Sequence, residues 1–180
     1  DLLEKAKGRI KMITLAPEYN DEKVIKLLLD TGIIISAGHS NASYNEAIKG
    51  FEIGIQAVTH LFNAMSSFHH RDTGLPGAVF SHPTAVASII ADGIHVSYEA
   101  LKLSKQILKD RLFLITDAVA ATQSGPYIHV LNGDHYALPN GTLSGSALSQ
   151  FTAVMNCVKH ADIPLDEALA PGEYRELTDE

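Results

Sequence analysis

Short apolar segments alternate with amphipathic segments along the first two thirds of the chain. Each apolar segment has four to seven residues, many of them β-branched, and the segments cover residues 9–15, 33–37, 55–59, 86–91 and 112–115. Between most of them, apolar residues recur at helical spacing. This alternation is typical of an α/β fold with a parallel sheet. We therefore predict five parallel strands connected mainly by helices.

Polar side chains follow each predicted strand. They are Glu18, His39, His60, Asp92 with His95, and Asp117. Polar strand ends in succession are typical of the catalytic face of a (β/α)8 barrel, which has eight strands and typically about 250 residues. The 180 residues of this chain hold about five βα units. The sequence therefore predicts a partial (β/α)8 TIM barrel.

The pattern changes after Asp117. Residues 126–139 alternate loosely around Asn132-Gly133-Asp134, which is a β-hairpin signal, so we predict a hairpin insertion there. The stretch 141–146 predicts a Gly/Ser turn that opens a helix from Ala147 to about His160. We assign residues 1–170 to one barrel domain. Residues 171–180 are polar and acidic without apolar periodicity, and we expect a disordered tail.

Composition excludes several classes of function. The net charge of −7 argues against non-specific nucleic-acid binding. No apolar run approaches the roughly 18 residues of a membrane span, and the first residues do not form a signal peptide, so no membrane partner is expected. The single cysteine, Cys157, excludes an intrachain disulfide and fits a reducing compartment. Nine histidines make metal or acid–base chemistry a reasonable hypothesis.

His39 and His60 form the central candidate site. Each follows an apolar strand, and neighbouring parallel strands lie about 4.8 Å apart, so the two imidazoles can share one metal ion. A zinc-like ion lowers the pKa of bound water from 15.7 to about 7. The alternative is that each histidine caps its strand by hydrogen bonding. A catalytic zinc usually has three protein ligands, and the sequence shows no clear third ligand, although His95 is one possibility.

Other polar residues have two interpretations each. Asp117 can take a proton from an attacking water and return it to a leaving amine, or it can cap a helix. Arg71 offers a planar fork for phosphate, or it is a solvated loop residue. Glu18 is either a site residue or a carboxylate in the first turn of the next helix. Residues 143–145 can present backbone N–H groups at a helix N-terminus, which as a motif is weak.

Six motifs together resemble one enzyme family. They are Thr-Leu-Ala-Pro-Glu (14–18), Ala-Gly-His-Ser-Asn-Ala (37–42), Thr-His-Leu-Phe-Asn-Ala-Met (59–65), Ala-Asp-Gly-Ile-His-Val (91–96), Ile-Thr-Asp-Ala (115–118) and Asn-Gly-Thr-Leu-Ser-Gly-Ser (140–146). Their order and content resemble N-acetylglucosamine-6-phosphate deacetylase, of the amidohydrolase superfamily. The resemblance runs from about residue 9 to residue 169.

The resemblance implies a metal-dependent hydrolysis of the acetamide of N-acetylglucosamine 6-phosphate, which gives glucosamine 6-phosphate and acetate in cytoplasmic amino-sugar catabolism. It implies a divalent ion, zinc first, with iron, cobalt or manganese as alternatives. It makes His39 and His60 metal ligands and Asp117 the catalytic acid/base. It assigns substrate contacts to Asn63, Ala64, Arg71, Asp92, Gly93, Ile94, His95, Leu143, Ser144 and Gly145. Family members commonly form homodimers.

The chain also departs from the family pattern. The family's third metal ligand is a glutamate in a His-x-Glu-Gly-Pro motif, which this sequence does not contain. We therefore expect a fragment that covers about barrel strands 4–8. Three alternatives follow: an inactive fragment, a non-catalytic module that binds a sugar phosphate, and an amidohydrolase with a different substrate.

Overall fold

The computed structural model describes residues 2–6, 8–122, 125 and 128–168. The chain divides into two compact units, residues 1–88 and residues 89–180. The first unit holds α1 (Leu2–Ala6), β1 (Met12–Leu15), a 3-10 turn (Pro17–Tyr19), α2 (Glu22–Asp30), β2 (Ile34–Ala37), α3 (Tyr44–Ile53), β3 (Ala57–Val58) and α4 (Gly74–Ser81). The strand β4 (Val86–Ile90) crosses the division between the units.

The strands of the first unit form a parallel sheet in the order β1-β2-β3-β4. Leu15 lies opposite Ala37, and Ala37 lies opposite Val58. This register brings the carboxyl ends of neighbouring strands to one edge of the sheet. The α/β class with a parallel sheet is therefore confirmed, whereas closure as part of a barrel stays a prediction.

Local sequence signals explain where the helices of this unit begin and end. The Asp21 side chain accepts a hydrogen bond from the backbone N–H of Lys23 and caps α2. Ser43 and Glu46 form the complete capping box of α3, as the Ser-x-x-Glu spacing predicts. Gly54 ends α3 with a φ of 125°, a conformation that a residue with a Cβ rarely adopts. These caps fix the points at which the chain enters and leaves the sheet.

The second unit begins with the end of β4 and adds α5 (Tyr98–Leu108), a 3-10 turn (Lys109–Arg111), β5 (Leu112–Ile115), β6 (Val130–Asn132), β7 (His135–Ala137), β8 (Leu143–Ser146), α6 (Gln150–His160) and α7 (Leu165–Ala168). β5 is the hydrogen-bonded neighbour of β4. β6 and β7 pair in antiparallel register, so the predicted hairpin is confirmed over its described residues. β8 pairs with β7 as a third strand.

The prediction for residues 141–146 was wrong. Leu143–Ser146 form β8 rather than part of a turn that opens a helix, and α6 begins only at Gln150 with Ser149 as its N-cap. The reason lies in Gly145, which suggested a turn. Gly145 has a φ of 135°, and a Cβ there would lie 2.8 Å from Cγ1 of Val119, so both its backbone conformation and close packing require glycine within this strand.

Two further expectations concern the ends of the chain and membranes. The predicted tail, residues 171–180, lies outside the described residues. Within the described ranges, no helix combines the length and the apolar character needed to cross a bilayer.

Candidate active site

His39 and His60 face each other in the first unit. β2 ends at Ala37 and β3 at Val58, so each histidine stands two residues beyond its strand. Their Nε2 atoms lie 3.0 Å apart, and the two rings meet edge to face with centroids 4.8 Å apart. His60 is buried, whereas His39 is exposed. The parallel register thus brings the two imidazoles together, as the strand-end positions predict.

The histidine pair fits two positions of a metal site. Two nitrogen ligands that each lie about 2.0–2.1 Å from one ion must be closer together than about 4.2 Å, and the Nε2 atoms satisfy this limit. Across the part of the chain that the structure describes, no group of three or more His, Cys, Asp or Glu side chains could hold a metal ion. Among the described residues, the pair therefore offers two candidate ligand nitrogens, without a third candidate beside them.

The backbone is left-handed at four of the predicted site residues other than glycine. Of the described residues other than glycine, seven have a positive φ, and they include His39 at 49°, His60 at 39°, Ala64 at 45° and Asp117 at 47°. Left-handed conformations cost about 1–3 kcal/mol and cluster at functional sites, where the surrounding structure holds them. Four of the seven are thus residues to which the sequence assigns metal-binding, catalytic or substrate-binding roles. The hydrophobic periodicity of the sequence does not predict these left-handed backbone conformations.

Glu18 does not open α2, while its interpretation as a site residue stays a prediction. It lies in the 3-10 turn Pro17–Tyr19, and α2 is capped by Asp21, so Glu18 does not open that helix. Its carboxylate instead accepts hydrogen bonds from the Ser40 hydroxyl and from the backbone N–H of Asn41, each at 2.6 Å. Glu18 therefore contacts the segment that follows His39. Ser40, which is 2% exposed, was not among the predicted site residues.

The loop after His60 carries Asn63 and Ala64 and is held by hydrogen bonds. The backbone N–H of His60 donates to the Ser88 hydroxyl at 2.9 Å, and the N–H of Asn63 donates to the His60 carbonyl at 2.9 Å. The Asn63 side chain donates to the Leu61 carbonyl at 3.3 Å. Asn63 is half-buried and Ala64 is exposed. Both predicted contacts therefore lie on the same ordered loop as His60.

Arg71 lies in an irregular loop of the first unit. Its backbone N–H donates to Nδ1 of His69 at 3.3 Å, and the rings of His69 and His70 lie 4.1 Å apart. Residues 69–72 are all exposed. The structure thus presents Arg71 on an exposed loop next to Asp72, and both interpretations of Arg71 stay open.

Asp92 and His95 form a compact turn at the end of β4, in the second unit. Oδ1 of Asp92 accepts hydrogen bonds from the backbone N–H groups of Ile94 and His95 at 2.9 and 2.8 Å. Oδ2 of Asp92 lies 2.5 Å from Nδ1 of His95. Burial raises the pKa of Asp92, but the hydrogen bonds from His95 and Ile94 outweigh it and hold the pKa below its ordinary value. Since Nδ1 contacts Asp92, His95 must bind any ligand through Nε2.

Two helices of the same unit fix this turn. The Tyr98 hydroxyl of α5 donates to the Asp92 carbonyl at 3.2 Å, and the Asn156 amide of α6 donates to the Ala91 carbonyl at 2.9 Å. A Cβ at Gly93 would lie 2.7 Å from the Tyr98 ring, so this position requires glycine. The predicted residues 92–95 thus form one rigid group.

Asp117 is exposed two residues beyond β5. Its carbonyl accepts a hydrogen bond from the backbone N–H of Ser146 at 3.0 Å, at the end of β8. Among the described residues, no helix begins directly after Asp117. The next described helix is α6, and Ser149 is its N-cap. The helix-capping interpretation of Asp117 is therefore wrong, while its catalytic role stays a prediction.

Leu143, Ser144 and Gly145 lie in β8 and not at a helix N-terminus. The Ser144 hydroxyl lies 3.0 Å from Nδ1 of His129. The helix-terminus argument for these residues is thus wrong, because a strand directs its N–H groups to its neighbour. Their assignment as substrate contacts rests on the sequence resemblance alone.

Known proteins resemble the chain in sequence and in fold. No model of a protein family matches it. It is 35% identical to N-acetylglucosamine-6-phosphate deacetylase from Lysinibacillus sphaericus over 177 residues, which cover 92% of this chain and 45% of the relative. It is 34% identical to N-acetylgalactosamine-6-phosphate deacetylase from a Shewanella strain over 168 residues, which cover 89% of this chain and 43% of that protein.

A solved structure also resembles the chain over nearly its whole length. The crystal structure of N-acetylglucosamine-6-phosphate deacetylase from Pasteurella multocida matches with a TM-score of 0.87 and 36% identity, over 93% of this chain and 46% of that one. The chain thus spans a little less than half the length of the relatives that it matches. Along the part of their length that it spans, the chain is similar in sequence and in fold to N-acetylglucosamine-6-phosphate deacetylases.

Proposed function

We propose that the protein hydrolyses the acetamide of N-acetylglucosamine 6-phosphate and releases glucosamine 6-phosphate and acetate. The observation that carries the proposal is the pair of Nε2 atoms, 3.0 Å apart, on the two histidines that follow neighbouring parallel strands. The names of the relatives support the substrate class, since each names a hexosamine with an N-acetyl group and a 6-phosphate. We further propose a (β/α)8 barrel for the complete fold, a cytoplasmic location and a homodimer.

His39 and His60 would hold a divalent ion, zinc first, with iron, cobalt or manganese as alternatives. When bound, such an ion supplies a water of lowered pKa and polarises the carbonyl of the acetamide. The chain's own contribution is to present the two imidazoles from loops whose backbone conformation is held by hydrogen bonds.

Asp117 is the proposed acid/base. Its carboxylate takes a proton from the attacking water as the new C–O bond forms. It then gives that proton to the sugar nitrogen, so that the C–N bond breaks and acetate and a free amine result. Three features of Asp117 support this role. It is exposed, it has a positive φ just beyond the end of β5, and it caps no described helix.

The phosphate and the sugar would be held by the remaining predicted residues. We assign the phosphate to the planar guanidinium of Arg71 and to Nε2 of His95, because both are polar donors of the kind that binds phosphate oxygens. The hydrogen bond between Nδ1 of His95 and Asp92 keeps that ring in one orientation. Asn63, Ala64, Asp92, Gly93, Ile94, Leu143, Ser144 and Gly145 are the proposed additional contacts.

A second function is favoured by the incomplete ligand set. Because the described residues supply only two metal ligands, the chain could bind a sugar phosphate without hydrolysing it. This module would use the same strand-end loops. It differs from the enzyme in a single measurable property, the release of acetate.

The test is acetate release from N-acetylglucosamine 6-phosphate in the presence of zinc. The unphosphorylated sugar and N-acetylgalactosamine 6-phosphate serve as comparison substrates. Turnover that is lost in Asp117→Asn but kept in Asp134→Asn, an exposed carboxylate of the β6–β7 turn, supports the proposal. Binding of the phosphorylated sugar without turnover supports the module instead. Equal turnover of the phosphorylated and unphosphorylated sugars contradicts the role of Arg71.

A further inference from the structure

Glu18 contacts two successive residues immediately after His39. One carboxylate oxygen accepts a hydrogen bond from the Ser40 hydroxyl, and the other accepts from the backbone N–H of Asn41, each at 2.6 Å. Both bonds are charge-assisted and bridge residues more than twenty positions apart in sequence. Both oxygens already accept hydrogen bonds from this segment. Glu18 therefore anchors the residues after His39 and does not serve as a third metal ligand.

Ser40 connects this carboxylate to the loop that carries the second histidine. Its backbone N–H donates to the Ala64 carbonyl at 3.1 Å, and its carbonyl accepts from the N–H of Ser66 at 2.9 Å. Its hydroxyl also accepts a hydrogen bond from the N–H of Ala42 at 3.1 Å. Ser40 is therefore joined at once to Glu18, to the start of α3 and to the loop that follows His60.

Ser66 strengthens the same connection from the other side. Its hydroxyl donates to the Ala42 carbonyl at 2.7 Å and accepts from the N–H of Leu75 at 2.8 Å. Each of the two loops that carry the histidines thus donates hydrogen bonds to the other. A displacement of Ser40 has to move both of them.

This arrangement matters because both loops have a strained backbone. His39 and His60 have φ values of 49° and 39°, and such residues persist only where the surroundings fix them. Removal of the Glu18 acceptor leaves the Asn41 N–H without that partner and the Ser40 hydroxyl free to rotate. The expected result is a looser His39 segment and a variable distance between the two Nε2 atoms.

We propose that Glu18 is a positioning residue which, through Ser40, holds the His39 loop in register with the His60 loop. The proposal deepens the proposed function, because it assigns to Glu18 the spacing that lets the two histidines bind one divalent ion together. Residues that hydrogen-bond directly to ligating side chains typically change metal affinity 10–100-fold when they are replaced, and Glu18 acts on His39 through the two residues that follow it.

The test compares Glu18→Gln with the parent chain by zinc titration against a chromophoric chelator. The amide keeps one acceptor oxygen and places an N–H₂ group where the carboxylate has the other, so one of the two hydrogen bonds loses its acceptor and we expect zinc affinity to fall about 10-fold. Glu22→Gln is the matched control, since Glu22 is exposed and pairs with Lys26 on the surface of α2. Val79→Ala, in the buried face of α4, controls for a general loss of stability.

Amide hydrogen exchange at Ser40 and Asn41 is a second measurement that needs no metal. Faster exchange at Asn41 in Glu18→Gln, with unchanged exchange in Glu22→Gln and weaker zinc binding only in the former, supports the proposal. Zinc affinity within twofold of the parent overturns it. If the parent itself binds no zinc, the proposed function fails separately, and unchanged protection of Asn41 in Glu18→Gln then overturns the positioning role.

Discussion

Oδ2 of Asp92 lies 2.5 Å from Nδ1 of His95, and both side chains are only 6% exposed. The other oxygen of the carboxylate accepts two backbone N–H groups of the same turn. One buried aspartate therefore orients the imidazole and closes the turn that carries it. The conformation of the turn 92–95, whose residues are predicted to contact the substrate, therefore depends on an ionised Asp92 carboxylate.

Asp92→Asn should destabilise the protein by about 1–3 kcal/mol at pH 7, because it leaves buried donors poorly satisfied. Urea unfolding measures the change. Asp162→Asn is the control, since Asp162 is 78% exposed and pairs with Lys102 at the surface, where such a pair contributes little.

The effect of Asp92 should also depend on pH. Its pKa is lowered from the ordinary value of 3.8 in the folded protein, so its stabilisation is fully present above that value and is lost as the pH falls through the lowered pKa. The stability difference between the parent and Asp92→Asn should therefore shrink as the pH falls below about 4. A difference that stays constant as the pH falls contradicts the ionised Asp92 carboxylate.

Gly38→Ala should destabilise the strand end that leads to His39. The new Cβ would lie 2.8 Å from Cγ2 of Thr14 and 2.9 Å from Cβ of Thr59, which forces a shift of the backbone. Overpacking of this kind typically costs about 1–3 kcal/mol, measurable by thermal or urea unfolding.

A second substitution separates this clash from other effects. Thr14→Ser removes Cγ2 while its hydroxyl can still bond the Thr59 hydroxyl, 2.9 Å away in the parent. The double variant Gly38→Ala/Thr14→Ser should therefore recover part of the lost stability. Losses that simply add in the double variant would show that the contact with Thr14 is not the cause.

Lys109→Gly should stabilise the protein by about 1 kcal/mol. Lys109 follows α5 with φ 54° and ψ −121°, a region that suits glycine and strains a residue with a Cβ. Lys49→Gly, within α3, should cost about 1 kcal/mol because glycine is unfavourable inside a helix. The same substitution thus changes the urea midpoint in opposite directions at two exposed lysines, and a loss of stability at both would contradict the strain at Lys109.

Cys157 should resist thiol reagents in the folded protein. Burial raises the pKa of its thiol to about 11, so at pH 8 almost no reactive thiolate is present. A chromogenic disulfide reagent should label this single thiol of the folded protein only as fast as the protein unfolds. In urea, where the protein is unfolded, labelling should be immediate. Labelling of the native chain at the rate seen in urea would mean that Cys157 is accessible without unfolding.

The sequence predicted the features that depend on local signals and on strand order. The apolar runs before His39 and His60, together with parallel pairing, are sufficient to bring the two side chains to one edge. The Ser43–Glu46 capping box and the hairpin around Gly133 also follow from short-range spacing. Each of these predictions needs only neighbouring residues and one rule of topology.

The features that the sequence did not predict depend on distant contacts. Gly145 looked like a turn residue because its packing against Val119 cannot be read from adjacent positions. Glu18 had two local interpretations, and its actual partners, Ser40 and Asn41, are set by the register of β1 on β2. The left-handed backbone of the site residues has no signature in hydrophobic periodicity.

That left-handed backbone at His39, His60 and Asp117 also has a consequence for protein design and for the search for sites in other proteins. Histidine, aspartate and asparagine tolerate this conformation better than β-branched residues, so each position restricts its occupants before any chemistry is selected. Grafting these side chains onto another α/β scaffold would therefore fail unless its strands end in the same left-handed turn. Conversely, a histidine or aspartate with positive φ just beyond a parallel strand is a geometric criterion that can locate candidate catalytic sites without a sequence motif.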